Sequence, residues 1–210
     1  MKTILCYGDS NTYGLKSDLK TRYPRDVRWT GVLQKMLGDD YYVIEEGLGG
    51  RTTVWDDPIE EYKNGKSYLI PCLNSHKPLD LVIVMLGTND LKHRFSLTSF
   101  DIATGMENLV NTILKSDAGI DFQPPKLMIV SPAPVFSVGN IDLDRMLLGA
   151  EEKGKELAAY YEAIAKKYNI AYLDIAGKVE VNKMDGIHFS EKGHHQMAQL
   201  VYEKVEEILG

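Results

Sequence analysis

The chain has 210 residues, 44% of them hydrophobic and 26% charged, with a formal net charge of -6. That length and apolar content supply one globular core, so residues 1–210 read as a single domain. The acidic balance, with no dense run of Lys or Arg, excludes a nucleic-acid footprint and favours small-molecule partners.

Short apolar runs rich in β-formers alternate with longer stretches of helical period, the pattern of crossovers between parallel strands. Thr3–Tyr7 reads as the first strand, followed by a polar loop, Leu15–Val27, placed to rim a pocket, and by a helix over Trp29–Leu37. Tyr41–Glu45 is the second strand and runs into the turn Gly47-Leu48-Gly49-Gly50; Leu81–Leu86 is the third, with a helix over Asp101–Lys115 beyond it. Gln123-Pro124-Pro125 introduces a fourth strand, Lys126–Ser131, which ends in Ser131-Pro132-Ala133-Pro134. A helix over Ala150–Tyr168, a fifth strand at Ala171–Leu173 and a helix over Ser190–Leu209 complete the chain, the last marked by Met197, Leu200, Val201, Val205 and Ile208. The fold expected is α/β, a three-layer α/β/α sandwich around a five-stranded parallel sheet.

The apolar run Thr3-Ile4-Leu5-Cys6-Tyr7 is too short for a secretory signal, and no segment approaches the roughly twenty apolar residues of a membrane span. A cytoplasmic protein with no membrane partner is therefore expected. Two cysteines occur, Cys6 and Cys72, and Cys6 inside a strand reads as buried and inert. His194 and His195 are adjacent on a helix, so they point to different faces and form no ligand pair; neither a metal nor a cofactor is expected.

In an open parallel sheet, ligands bind beyond the carboxyl ends of the strands. Asp9 and Ser10, Gly49-Gly50-Arg51, Thr88-Asn89-Asp90, and Asp185 with His188 all fall at such ends. A serine becomes a nucleophile when a base takes its proton and a third group fixes the tautomer of that base. Asp185-Gly186-Ile187-His188 supplies both, since a turn at Gly186 can bring the carboxylate to Nδ1 and leave Nε2 for Ser10. Ser190 is placed to cap the helix that follows. The backbone N–H groups of Ser10 and Gly50 and the Asn89 amide are available donors for an oxyanion.

Taken singly, these residues have plainer explanations: Ser10 as a helix cap, Gly50 as a turn, Asn89 as an Asx-turn and His188 as a satisfied core histidine. Their complementary chemistry favours one shared site. Asp9 reads as orienting its turn or pairing with a cation, and Arg51 as meeting an anionic substrate or joining a surface or inter-subunit ion pair. A phosphate- or nucleotide-binding module is the rival of another class, but Gly47-Leu48-Gly49-Gly50 is followed by neither a Walker lysine nor a complete dinucleotide fingerprint.

Gly8-Asp9-Ser10-Asn11-Thr12-Tyr13-Gly14, Gly49-Gly50-Arg51-Thr52, Gly87-Thr88-Asn89-Asp90 and Asp185-Gly186-Ile187-His188 resemble, in order, the four signature blocks of the SGNH hydrolases, the GDSL esterase superfamily. The text between them, such as Asp26–Leu33 and Leu79–Ile83, is similar to the bacterial arylesterase and acyltransferase subgroup. The resemblance implies a flavodoxin-like sheet, small ester substrates and often a homo-oligomer. It gives Ser10 as nucleophile, His188 as base and Asp185 as its orienter, with Ser10, Gly50 and Asn89 forming the oxyanion hole. Asn11 stands where the motif usually has leucine and implies a more polar acyl pocket. Val135–Leu148 looks short for a lid, so an exposed or oligomer-covered site is expected. The combined reading is a serine esterase of small acyl or aryl esters acting through an acyl-enzyme on Ser10, with transfer to alcohols as a branch. A carbohydrate acetylesterase or thioesterase using the same triad is the alternative.

Overall fold

The computed structural model describes residues 1–210. Strands β1 (Lys2–Gly8), β2 (Tyr41–Gly47), β3 (Leu81–Met85), β4 (Lys126–Ser131) and β5 (Ala171–Asp174) form one parallel sheet in the order β2-β1-β3-β4-β5. Gly8 lies level with Gly47 on one side and Met85 on the other, so three strands end together. The chain leaves β1 toward β2 and returns across it to β3; that reversal opens a crevice at their carboxyl ends.

Both faces of the sheet are covered. Ile4 and Cys6 of β1 enter one core, and Leu5 and Tyr7 the other, so the strand is apolar throughout, as burial on two sides requires. The first core takes Trp29 and Leu33 from α2 (Trp29–Leu37) and Met197, Val201 and Val205 from α7 (Glu191–Leu209). The second takes Leu69 and Leu73 from α3 (Gly65–His76), Met106 and Leu109 from α4 (Ser99–Leu114), and Leu157 and Tyr161 from α6 (Ala150–Tyr168). Two short helices, α1 (Ser10–Tyr13) and α5 (Ile141–Met146), stand near the crevice.

The expected three-layer sandwich and all five strands are present, with end shifts of one or two residues. Helix α3 is the main difference. Its buried residues Leu69, Cys72 and Leu73 are mixed with exposed Tyr68 and Ile70 and interrupted by Pro71, so no clean apolar stripe marks it. Asn64 caps it by accepting from the N–H groups of Lys66 and Ser67. Helix α4 begins at Ser99 rather than Asp101 because Thr98 and Asp101 form a capping box. Ser190 caps α7 as expected, its Oγ accepting from Gly193 N–H at 3.0 Å.

His194 and His195 do diverge, one buried and one exposed. His194 Nδ1 accepts the Trp29 N–H at 3.3 Å, tying α7 to the start of α2. Burial, helped by the Arg28 charge, pushes its pKa down to about 3, so the ring stays neutral. Cys6 is buried and free, and burial pushes its thiol well up, away from reactivity. No helix is long and apolar enough to cross a membrane.

Candidate active site

Beyond β1 the chain turns sharply into α1. Asp9 caps this turn, its Oδ1 accepting the Asn11 N–H at 2.9 Å, and Gly14 closes it in the left-handed region. The cap fixes Ser10 at the floor of the crevice. Of the two readings of Asp9, the structure shows the turn-orienting one; burial raises its carboxyl pKa, and the hydrogen bond from Asn11 opposes this.

The second component is the loop before α7. Gly186 adopts φ +70°, and a Cβ there would meet Phe136 O at 2.0 Å, so the turn needs glycine. Asp185 Oδ1 accepts from the backbone N–H groups of Ile187 at 2.9 Å and His188 at 3.0 Å. Its Oδ2 lies 2.6 Å from His188 Nδ1, and His188 Nε2 lies 2.8 Å from Ser10 Oγ. With the Nδ1 proton held by the carboxylate, Nε2 is left to accept from the serine hydroxyl. Burial pushes the Asp185 carboxyl pKa up, but hydrogen bonds from the His188 ring and the two backbone donors outweigh it and hold the group ionised. Ser10 and His188 are 6% and 5% exposed, enough for one edge to meet a ligand while water is largely excluded.

Ser10, Gly50, Asn89 and His188 line one cavity of about 310 Å³. Gly50 follows β2 at φ +82°. Asn89 follows β3, and its Nδ2 donates one hydrogen to Arg51 O at 3.2 Å, which leaves the second for a ligand. One wall is apolar, with Leu15 and Leu19 from the loop after α1 and Leu143, Met146 and Leu147 from α5 and its end. The expectation that the 15–27 loop rims the pocket is met. Asn140 caps α5 by accepting from Asp142 and Leu143 N–H, and Leu143, Met146 and Leu147 of the segment 135–148 line one side of the cavity. The same cavity is lined by Glu60 and Lys92, whose side chains pair at 2.8 Å.

Two readings are corrected. Arg51 meets no anionic group at the surface: it is buried, donates from Nη1 to the carbonyls of Gly8 and Glu46, and lies 4.1 Å from the Tyr7 ring centroid. It is a brace between the ends of β1 and β2. Asn11 does not polarise the cavity. It is buried outside the lining, with Nδ2 donating to Ile187 O at 3.2 Å and Oδ1 accepting from Phe189 N–H at 2.9 Å.

The contacts of several residues around the site had no legible signal. Glu60 and Lys92 join Asp57 and Arg94 in a network of two carboxylates and two cations assembled from separate loops. Asp90 is buried below the crevice and bound by the Thr53 N–H and hydroxyl. Glu46, Cys72 and His76 bring one O, S and N atom within 4.8 Å of one another, the only such group with metal-ligand chemistry. Glu46 and His76 are hydrogen-bonded to each other at 2.8 Å, Cys72 is fully buried, and none of the three lines the Ser10 cavity.

A profile of the GDSL-like lipase/acylhydrolase family matches residues 6–196. The chain belongs to this family. Among solved structures, the native aryl esterase of M. smegmatis is 43% identical across the whole of both chains, with a TM-score of 0.94. A carbohydrate acetylesterase from Sinorhizobium meliloti is 38% identical, again over all of both chains, with a TM-score of 0.95. An acetylxylan esterase of Xylanibacter ruminicola is 27% identical over 94% of this chain, which spans 42% of that relative's length. The GDSL-family sheet expected from the sequence is the one these structural neighbours share.

Proposed function

We propose that this GDSL-family chain is a serine carboxylic-ester hydrolase acting on small acyl or aryl esters, with residues 1–210 as one catalytic unit. The observation that carries the reading is the continuous hydrogen-bonded series from Ser10 Oγ through His188 to Asp185, at 2.8 and 2.6 Å, opening on a cavity that also holds Gly50 and Asn89. Ser10 Oγ attacks the acyl carbonyl while its proton passes to His188 Nε2, and Asp185 stabilises the imidazolium. The oxyanion accepts from the N–H groups of Ser10 and Gly50 and from Asn89 Nδ2, each correctly placed donor lowering the barrier by about 3–4 kcal/mol. Collapse breaks the ester C–O bond, and His188 returns the proton to the departing alcohol. Water then enters, His188 takes its proton, and the acid leaves with Ser10 regenerated.

A volume of about 310 Å³ suits a short acyl chain with a compact alcohol, and the wall of Leu15, Leu143, Met146 and Leu147 suits an aryl ring. The acyl-enzyme is equally open to an alcohol, giving ester beside acid, with hydrolysis in the lead. A carbohydrate acetyl ester is the second reading, favoured by the Glu60–Lys92 pair, which offers both acceptors and donors to sugar hydroxyls, and by two relatives named for such substrates. Homo-oligomerisation and action in the cytoplasm rest on the sequence features and subgroup resemblance given above.

The test is turnover of an aryl acetate beside an acetylated sugar, with acid and ester products separated chromatographically at several concentrations of a primary alcohol. Wild type is expected to favour the aryl ester, and Ser10→Ala to lose more than about 10³-fold in kcat while retaining the fold. Turnover by Ser10→Ala within tenfold of wild type removes the proposal; preference for the sugar ester selects the second reading.

A further inference from the structure

The most exacting demand of this site is that His188, at the end of a loop 178 residues from Ser10 in sequence, sit within hydrogen-bond reach of the hydroxyl. The two side chains cannot supply that restraint themselves, because their hydrogen bond must break and re-form during turnover. We propose that Asn11 is a positioning residue that fastens the base-bearing loop to the nucleophile turn; this rests on the esterase reading.

Asn11 is the residue next to Ser10, is buried, and has its own N–H held by Asp9 Oδ1 at 2.9 Å, so its backbone moves with the nucleophile. Its side chain reaches the residues on either side of His188. Nδ2 donates to Ile187 O at 3.2 Å and Oδ1 accepts from Phe189 N–H at 2.9 Å. The partners fix the orientation of the amide, since one is an acceptor only and the other a donor only. Between them they clamp the two peptide units flanking His188. The rest of its backbone is also held: His188 N–H by Asp185 Oδ1 at 3.0 Å, and His188 O by Asn182 N–H at 2.7 Å. Apart from the Ser10–His188 hydrogen bond itself, it is the Asn11 clamp that ties this frame to the Ser10 turn. An aliphatic side chain leaves a buried carbonyl and a buried N–H without partners, and the frame is then free to shift away from Ser10.

The test compares Asn11→Leu, Asn11→Asp and a remote control, Thr98→Ala, which weakens the α4 cap. Aryl-ester kinetics, thermal stability and the low-field proton resonance of His188 Nδ1–H are followed in each. Asn11→Leu is expected to lower kcat ten- to a hundredfold with KM within threefold, to slow fluorophosphonate capture by the same factor, and to broaden the resonance. Asn11→Asp, the same size and still able to accept from Phe189 N–H, is expected to fold and lose less. Thr98→Ala is expected to lose stability with kcat unchanged. If Asn11→Leu does not fold, Asn11→Asp decides: a fall in kcat of threefold or more, with a changed resonance, supports the clamp. Wild-type kcat and resonance in a folded Asn11 variant overturn it, as does a loss matched by Thr98→Ala. Wild-type protein that fluorophosphonate does not label fails the esterase reading itself, a result separate from any Asn11 effect.

Discussion

Asn89 shows how much one side chain is asked to do. Its Nδ2 donates to the Arg51 carbonyl at 3.2 Å, and this bond fixes the orientation of the amide, so little reorganisation is needed in the transition state. Asn89→Ala is therefore expected to lower kcat by roughly 10²–10³ with a smaller change in KM, measured on the preferred ester. An effect confined to KM makes Asn89 a ground-state binding group instead. That Ser10, Gly50, Asn89 and His188 would meet, with Asp185 behind His188, was legible because each has chemistry that few residue types supply and each lies beyond the carboxyl end of a strand. Asn11 and Arg51 were misread for a common reason: their partners are distant in sequence, Ile187 and Phe189 in one case and Gly8 in the other. A polar residue beside a nucleophile looks like pocket lining until its hydrogen bonds are traced.

At the scale of elements, the loop after β3 is fastened to the loop after β2 through Asp90, which accepts from Thr53 N–H and Oγ1. Burial pushes the Asp90 carboxyl up, the Thr53 hydrogen bonds oppose this, and the Asp9 carboxylate adds to it; the result is a pKa of about 6. Because this value lies above that of an unfolded aspartate, the folded chain holds the proton where the unfolded chain has released it. The contribution is full below about pH 4 and is lost as pH rises through about 6, a change on the order of 3 kcal/mol. Urea unfolding of wild type and Asp90→Asn from pH 4 to 7 checks the sign. Wild-type stability relative to the variant is expected to fall across that interval; a flat or rising difference contradicts it. Element by element, α2 and β4 were readable because a regular apolar period marks the one and a continuous apolar run the other. Helix α3 was not, since Pro71 and an irregular apolar pattern conceal a crossover that only the β2-to-β3 connection requires.

For the whole molecule, the sheet order β2-β1-β3-β4-β5 brings the ends of three strands to one level and leaves a crevice that four separated segments fill. The layers and the segments at the crevice followed from pattern; the shape of the cavity did not. The α5 wall and the Glu60–Lys92 pair depend on how loops pack after the sheet has formed, and no local periodicity encodes that. What unites the levels is an activated serine, so the decisive measurement is covalent capture by a fluorophosphonate, read by intact mass and peptide mapping. One adduct per chain on Ser10 is expected, absent in Ser10→Ala and slowed more than about a hundredfold in His188→Ala. No adduct, or an adduct on another residue that persists in Ser10→Ala, contradicts the account.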